Sequence, residues 1–198
     1  MPIYVDFDYT LAYAIYKDIA REEVSRFVFR PGAERFLGAL SVFSEVVILT
    51  ASIGDWARDA LMGRPELMAN ISRIIDGEEL SKIQAQIELV LGIPGLSPTE
   101  KRSMLGMIQP IASAAPGVIF DDVPVGDELY YLKTIAVGVF PKGRDFWIQV
   151  PGFSKEHPDI NGLEEAFREF IKRNALWQRA GLDGPRRKIA NELELESV

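Results

Sequence analysis

The amino-acid sequence predicts an α/β fold: a doubly wound, mostly parallel sheet with helices on both faces and a small or absent cap. Two observations carry this. Three short runs of β-branched residues each end in polar side chains: Ile3-Tyr4-Val5 before Asp6, "EVVILTAS" at 45–52, and "GVIFDD" at 117–122. Stretches with helical periodicity lie between them, and strands alternating with helices imply parallel pairing through right-handed crossovers.

The elements follow in order. After the first strand, Ala33 to Phe43 reads as a helix with apolar residues at Phe36, Leu37 and Leu40. The strand at 45–52 is followed by helical pieces at Trp56 to Met62 and Leu80 to Leu91. Residues 53–98 also contain Pro65, Gly77, Gly92, Pro94 and Gly95, which suits a small helical insertion beside the sheet. Thr99 to Ala112 reads as the helix before the third strand. "TIAVGVF" at 134–140 and "FWIQV" at 146–150 could add two strands, and Leu163 to Leu176 closes the fold as a helix. A single domain over 1–180 is expected, with 181–198 as a loosely ordered tail.

Composition narrows the chemistry. The 198 residues, 47% hydrophobic and 26% charged, suffice for one complete core. Without cysteine and with only His157 as histidine, a thiolate or multi-histidine metal site is excluded, so any metal must be held by oxygen. The start at Pro2-Ile3-Tyr4 shows no basic region, and no apolar run is long enough to span a bilayer, so a cytoplasmic protein without membrane contact is expected. A net charge of −7 argues against an extensive nucleic-acid surface. Arg168, Lys172, Arg173, Arg179, Arg186, Arg187 and Lys188 form a local basic stretch, read as a solvated helix face and tail.

"YVDFDYTLA" at 4–12 sets two aspartates, Asp6 and Asp8, at the end of a buried strand, where open α/β sheets hold ligands. Thr50 ends the second strand, Asp121 and Asp122 end the third, and Ser52 is placed as a helix N-cap before Gly54-Asp55-Trp56. Asp127 fits either a helix cap before Glu128 or a partner of a metal-bound water.

These motifs resemble the phosphoryl-transfer constellation of the haloacid dehalogenase superfamily. "DFDYTLA" is similar to its first motif, "VVILTAS" to its second, and "VIFDDVPVGDE" to its acidic fourth. The resemblance implies a Rossmann-like core and a Mg2+-dependent phosphatase. Asp6 would be nucleophile and metal ligand, forming an aspartyl-phosphate. Asp8 would offer a backbone carbonyl to the metal while its side chain serves as general acid and base. Thr50 would hold a phosphoryl oxygen. Asp122 would be the acid that reaches the metal, with Asp121 orienting it. The superfamily's lysine usually stands at the start of the helix before the acidic strand, which favours Lys101 in "SPTEKRSML" over Lys82.

Subfamily signals diverge. Tyr9 in "DYTLA" is similar to purine 5′-nucleotidases, whereas "FRPGAERFL" followed by "VVILTAS" is similar to the RNA-polymerase C-terminal-domain phosphatases, which usually carry an acid-amide pair instead of Asp121-Asp122. Only 43 residues separate Asp6 from Thr50, too few for a large cap. The resemblance then implies a phosphorylated substrate that is either a macromolecule end closing the site itself or a small metabolite under a modest lid. A catalytically silent phosphate-binding protein is the alternative from another class.

Overall fold

Alternation of apolar side chains along each short strand builds a sheet buried on both faces. A computed structural model of the chain describes residues 1–18, 23–52, 56–158 and 161–179. Its elements are β1 (Ile3–Val5), β2 (Ala12–Asp18), β3 (Glu23–Phe29), α1 (Ala33–Ser41), β4 (Val46–Leu49), α2 (Trp56–Met62), α3 (Pro65–Met68), β5 (Arg73–Ile75), α4 (Gly77–Gly92), α5 (Pro98–Leu105), β6 (Val118–Asp121), α6 (Glu128–Ala136), α7 (Gly143–Phe146), β7 (Trp147–Gln149) and α8 (Gly162–Arg179). Five strands form a parallel sheet in the order β5-β4-β1-β6-β7. The order reverses around β1, and such a switch point opens a crevice at the carboxyl ends of the strands.

Odd and even positions separate the two cores. Ile3, Val5, Val46, Ile48, Val118, Phe120 and Ile148 face α1, α2, α3 and α8. Tyr4, Val47, Leu49, Ile75, Ile119 and Trp147 face α4, α5 and α6. This is the period of two expected of strands covered on both sides, and it makes the fold doubly wound as the sequence predicts. Among the described residues, no helix is long and apolar enough to cross a membrane.

The structure departs from the sequence reading in four places. Residues 134–140 are not a strand: α6 continues through Ala136, buries Ile135 and Ala136, and is stopped by Gly138 at φ 71°. The helix read over Thr99 to Ala112 ends at Leu105, because Gly106 closes it and Pro110 cannot continue it. The stretch 53–98 is not an insertion beside the sheet. Its described part contributes β5, paired in register to β4, and α4, whose Leu80, Ile83 and Ile87 fill the second core. Finally, residues 12–18 and 23–29 pair as antiparallel strands, β2 and β3, and Phe27 and Phe29 meet Phe7 edge-to-face at 5.5 and 6.0 Å. "FWIQV" supplies β7 as expected. The tail at 181–198 lies outside the described residues.

Phe120, fully buried, packs against Phe36 at 5.3 Å and Phe170 at 5.7 Å beneath the acidic end of β6. Phe120→Ala should therefore lower the free energy of unfolding by ~3–5 kcal/mol in urea titration, whereas Leu89→Ala, at an exposed position, should change it by less than ~0.5 kcal/mol.

Candidate active site

The register of the sheet decides which acids meet. Val5 pairs with Phe120, so Asp6 and Asp121 stand side by side one residue beyond, and the Asp6 amide still donates to the Phe120 carbonyl at 2.9 Å. Both follow the parity of Tyr4 and Ile119, which turns their side chains toward the face covered by α6. From that helix Lys133, 2% exposed, donates to Asp6 Oδ1 at 2.6 Å and to Asp121 Oδ2 at 2.5 Å. A buried ammonium is tolerated only when paired this way. Asp121 spends its other oxygen on the Val123 amide at 2.9 Å, closing the turn after β6.

The neighbouring strand end supplies hydroxyls. The Thr50 amide donates to the Ile75 carbonyl at 3.0 Å, which fixes the chain just past β4. Thr50 Oγ1 and Ser52 Oγ both donate to Asp8 Oδ2, at 2.8 and 2.6 Å, and the Ser52 amide donates to Thr50 Oγ1 at 3.1 Å. Gly77 lies directly beneath this loop. Its amide donates to the Ser52 carbonyl at 2.9 Å, and a Cβ there would come within 2.5 Å of the Ala51 carbonyl oxygen. Only glycine lets α4 approach the hydroxyl-bearing loop so closely.

Asp122 completes the acidic group. Carboxylate oxygens of Asp6, Asp121 and Asp122 lie within 4.8 Å of one another, and Asp122 Oδ1 accepts from Thr10 Oγ1 at 3.4 Å. Three carboxylates stand near one ammonium, which is bonded to Asp6 and Asp121. Burial pushes the Asp6 carboxyl well above the usual range, Lys133 opposes this, and Asp121 and Asp8 add to it. Burial would strip the proton from Lys133, yet Asp6 and Asp121 hold it on and raise the amine above its ordinary value. Burial, then Asp121, push Asp122 up to about 6, with Lys133 opposing. An all-oxygen donor set with uncompensated negative charge suits a hard divalent cation.

The sequence-predicted residues divide accordingly. Asp6, Asp8, Thr50, Asp121 and Asp122 converge at one end of the sheet. The Asp8 carboxylate, however, lies on the hydroxyls and outside the acidic group. Lys101 does not reach the site: its Nζ donates to the Leu91 carbonyl at 2.5 Å, tying α5 to the end of α4. Lys82 is exposed on α4. The lysine of the site is Lys133, twelve residues after Asp121 instead of before it. A single charge inside the apolar run "LYYLKTIA" was the signal for it, because a lysine in a buried helix face needs carboxylate partners. Asp127 caps α6, its side chain accepting from the Leu129 amide at 2.9 Å. A cleft of about 340 Å³ opens over these groups, walled by Tyr9, Tyr13 and Tyr16 from the first loop and hairpin and by Ser52, Val123 and Leu129.

Comparison with known families accords with this geometry. Residues 3–63 match the family of NLI interacting factor-like phosphatases. Over that segment the chain is similar to a family of haloacid dehalogenase-like phosphatases. The matched segment, about a third of the chain, carries Asp6, Asp8, Thr50 and Ser52; Asp121, Asp122 and Lys133 lie beyond it. A search of curated proteins gave no significant match.

Two outcomes test the site's electrostatics. Lys133→Ala leaves two buried carboxylates without their cation and should cost ~3–5 kcal/mol of stability, while Lys101→Ala should cost less than ~1 kcal/mol, both read by urea unfolding. Because Asp122 takes up its proton near pH 6 in the fold and at the ordinary lower value when unfolded, the metal-free fold loses stability as pH rises between those two values, and the full penalty stands above about 6. In chelator, Asp122→Asn should melt ~2–5 °C above wild type at pH 7.5, and the gap should close as pH falls toward 4.5.

Proposed function

We propose that this protein hydrolyses phosphomonoesters by transfer to Asp6, and the observation that carries the reading is the Lys133 bridge between Asp6 and Asp121. The bridge fixes the buried Asp6 carboxylate in the lining of the cleft and supplies positive charge beside it, as an anionic nucleophile facing an anionic ester requires. Asp6 attacks phosphorus as the ester oxygen departs, and Asp8 donates a proton to that oxygen. Asp8 then takes a proton from water, whose oxygen attacks phosphorus and releases Asp6 and inorganic phosphate. The nucleophile must be ionised when it attacks, and Lys133 beside Asp6 favours that form against the effect of its burial.

Mg2+ is the cofactor that suits the site: Asp6, Asp122 and the Asp8 backbone carbonyl would hold it, and it would neutralise charge on the phosphoryl oxygens. Asp121 acts as orienter, since Lys133 and the Val123 amide already occupy its two oxygens. Thr50 and Ser52 turn from Asp8 to a phosphoryl oxygen when the ester enters. A cleft of about 340 Å³ is within the range that accommodates small-molecule ligands, which favours a small phosphomonoester over a macromolecule end.

Hydrolysis of 4-nitrophenyl phosphate with Mg2+ tests the reading. Asp6→Asn should lose on the order of a thousandfold in kcat, and excess chelator should abolish wild-type turnover. Asp8→Asn should bind inorganic phosphate while losing roughly a hundredfold or more in kcat. Equal rates for wild type and Asp6→Asn would instead leave a phosphate-binding protein without catalysis.

A further inference from the structure

The residue after the second aspartate is unusual in conformation as well as identity. Tyr9 has φ 57°, the one positive φ of a non-glycine among the described residues, in a region where glycine or asparagine normally stands. Its backbone is held there from both sides: its amide donates to the Ala12 carbonyl at 2.7 Å, and its carbonyl accepts from the Phe153 amide at 2.6 Å. The consequence is an aromatic side chain left 51% exposed beside Asp8.

Tyr9 also forms the boundary between two cavities. On one side is the cleft over Asp6, Asp8 and Lys133. On the other is a shallower hollow of about 630 Å³ lined by Pro151, Gly152, Phe153, Ser154 and His157, and Asp122 borders both. The floor of this hollow is braced. Phe153 meets Tyr13 edge-to-face at 5.1 Å, and the buried Arg30 donates to the Pro151 carbonyl at 2.8 Å while its guanidinium lies 5.5 Å from the Phe153 ring. Among the described residues, the lining of the two cavities includes one lysine, Lys133, already engaged by two carboxylates, and no arginine, against Asp6, Asp8, Asp122 and Glu156. A second anionic group on the substrate would find repulsion here, whereas a flat ring would find the face of Tyr9 and the apolar floor behind it.

We propose that Tyr9 is a specificity residue that selects phosphomonoesters whose leaving group is a planar, uncharged aromatic, seated across Tyr9 toward the hollow over Phe153. This rests on the phosphatase reading of Asp6. The left-handed turn is retained at Tyr9 because it aims the ring at the leaving group one residue from the acid that protonates it.

Benzyl phosphate and n-propyl phosphate test it, since both leave as primary alcohols and differ mainly in the ring. Wild type should favour benzyl phosphate by ~tenfold in kcat/KM, expressed in KM. Tyr9→Ala, which keeps a Cβ at the same backbone angle, should bring the ratio near one, and Tyr9→Phe should restore it. A carboxylate added to the benzyl ring should lower wild-type kcat/KM ~tenfold. Equal kcat/KM for the two esters in wild type, or a preference that survives in Tyr9→Ala, would overturn the role of Tyr9 while Asp6-dependent turnover stands. A merely structural Tyr9 would slow both esters alike and leave their ratio unchanged, which also overturns it. Turnover of both esters by Asp6→Asn at the wild-type rate would remove the phosphatase reading and this proposal together.

Discussion

One ammonium group holds the functional end of this molecule together. Parallel pairing of β1 and β6 forces Asp6 and Asp121 into adjacent positions on the same face of the sheet, a juxtaposition of buried carboxylates that must be offset by a cation or by a proton held on one of them. Lys133 supplies it from α6, and the helix must therefore dock with that residue over the strand ends. The turn that leads there is correspondingly tight: Asp121 accepts from the Val123 amide and Asp127 caps the helix. Beyond the helix, Gly143 sits so close to Thr134 that a Cβ would come within 2.5 Å of its methyl carbon.

The opposite wall depends on a second buried cation. Arg30, 2% exposed at the end of the hairpin, donates to the Thr10 carbonyl at 3.3 Å as well as to the Pro151 carbonyl. It thereby links the loop that carries Asp8 and Tyr9 to the loop after β7. Lys133 organises the acids from below, and Arg30 organises the aromatic rim from the side. Between them the chain positions carboxylates, hydroxyls and rings contributed by segments that share no secondary-structure element.

Legibility in the sequence followed from locality. The three strand ends were readable because buried strands announce themselves as apolar runs and a polar residue at their end breaks the pattern, as Asp6, Thr50 and Asp121 do. Helices α1, α2, α4 and α8 were readable for the same reason. β5 was not: at three residues, Arg73–Ile75, it carries too little periodicity to be separated from the helical pieces around it. The β2–β3 hairpin was missed because "AYAIYKD" alternates only weakly. The lysine was misplaced because its choice is a tertiary fact. Lys101 and Lys133 both lie on helices covering one face of the sheet, and only the docking of α6 over β1 and β6 distinguishes them.

The span of the Asp6–Lys133 contact has a consequence for how activity emerges from the chain. The two residues are 127 positions apart, and the intervening segment contains the hairpin, β4, β5 and β6. A contact of that sequence separation forms only after the loop-closure entropy of nearly two thirds of the chain has been met by other contacts. Asp6 is therefore without its ammonium partner in any partly folded species in which α6 has not docked, even one in which β1 and its loop are already in place. The acidic end of the sheet is completed by a long-range step and not by the segment that carries Asp6.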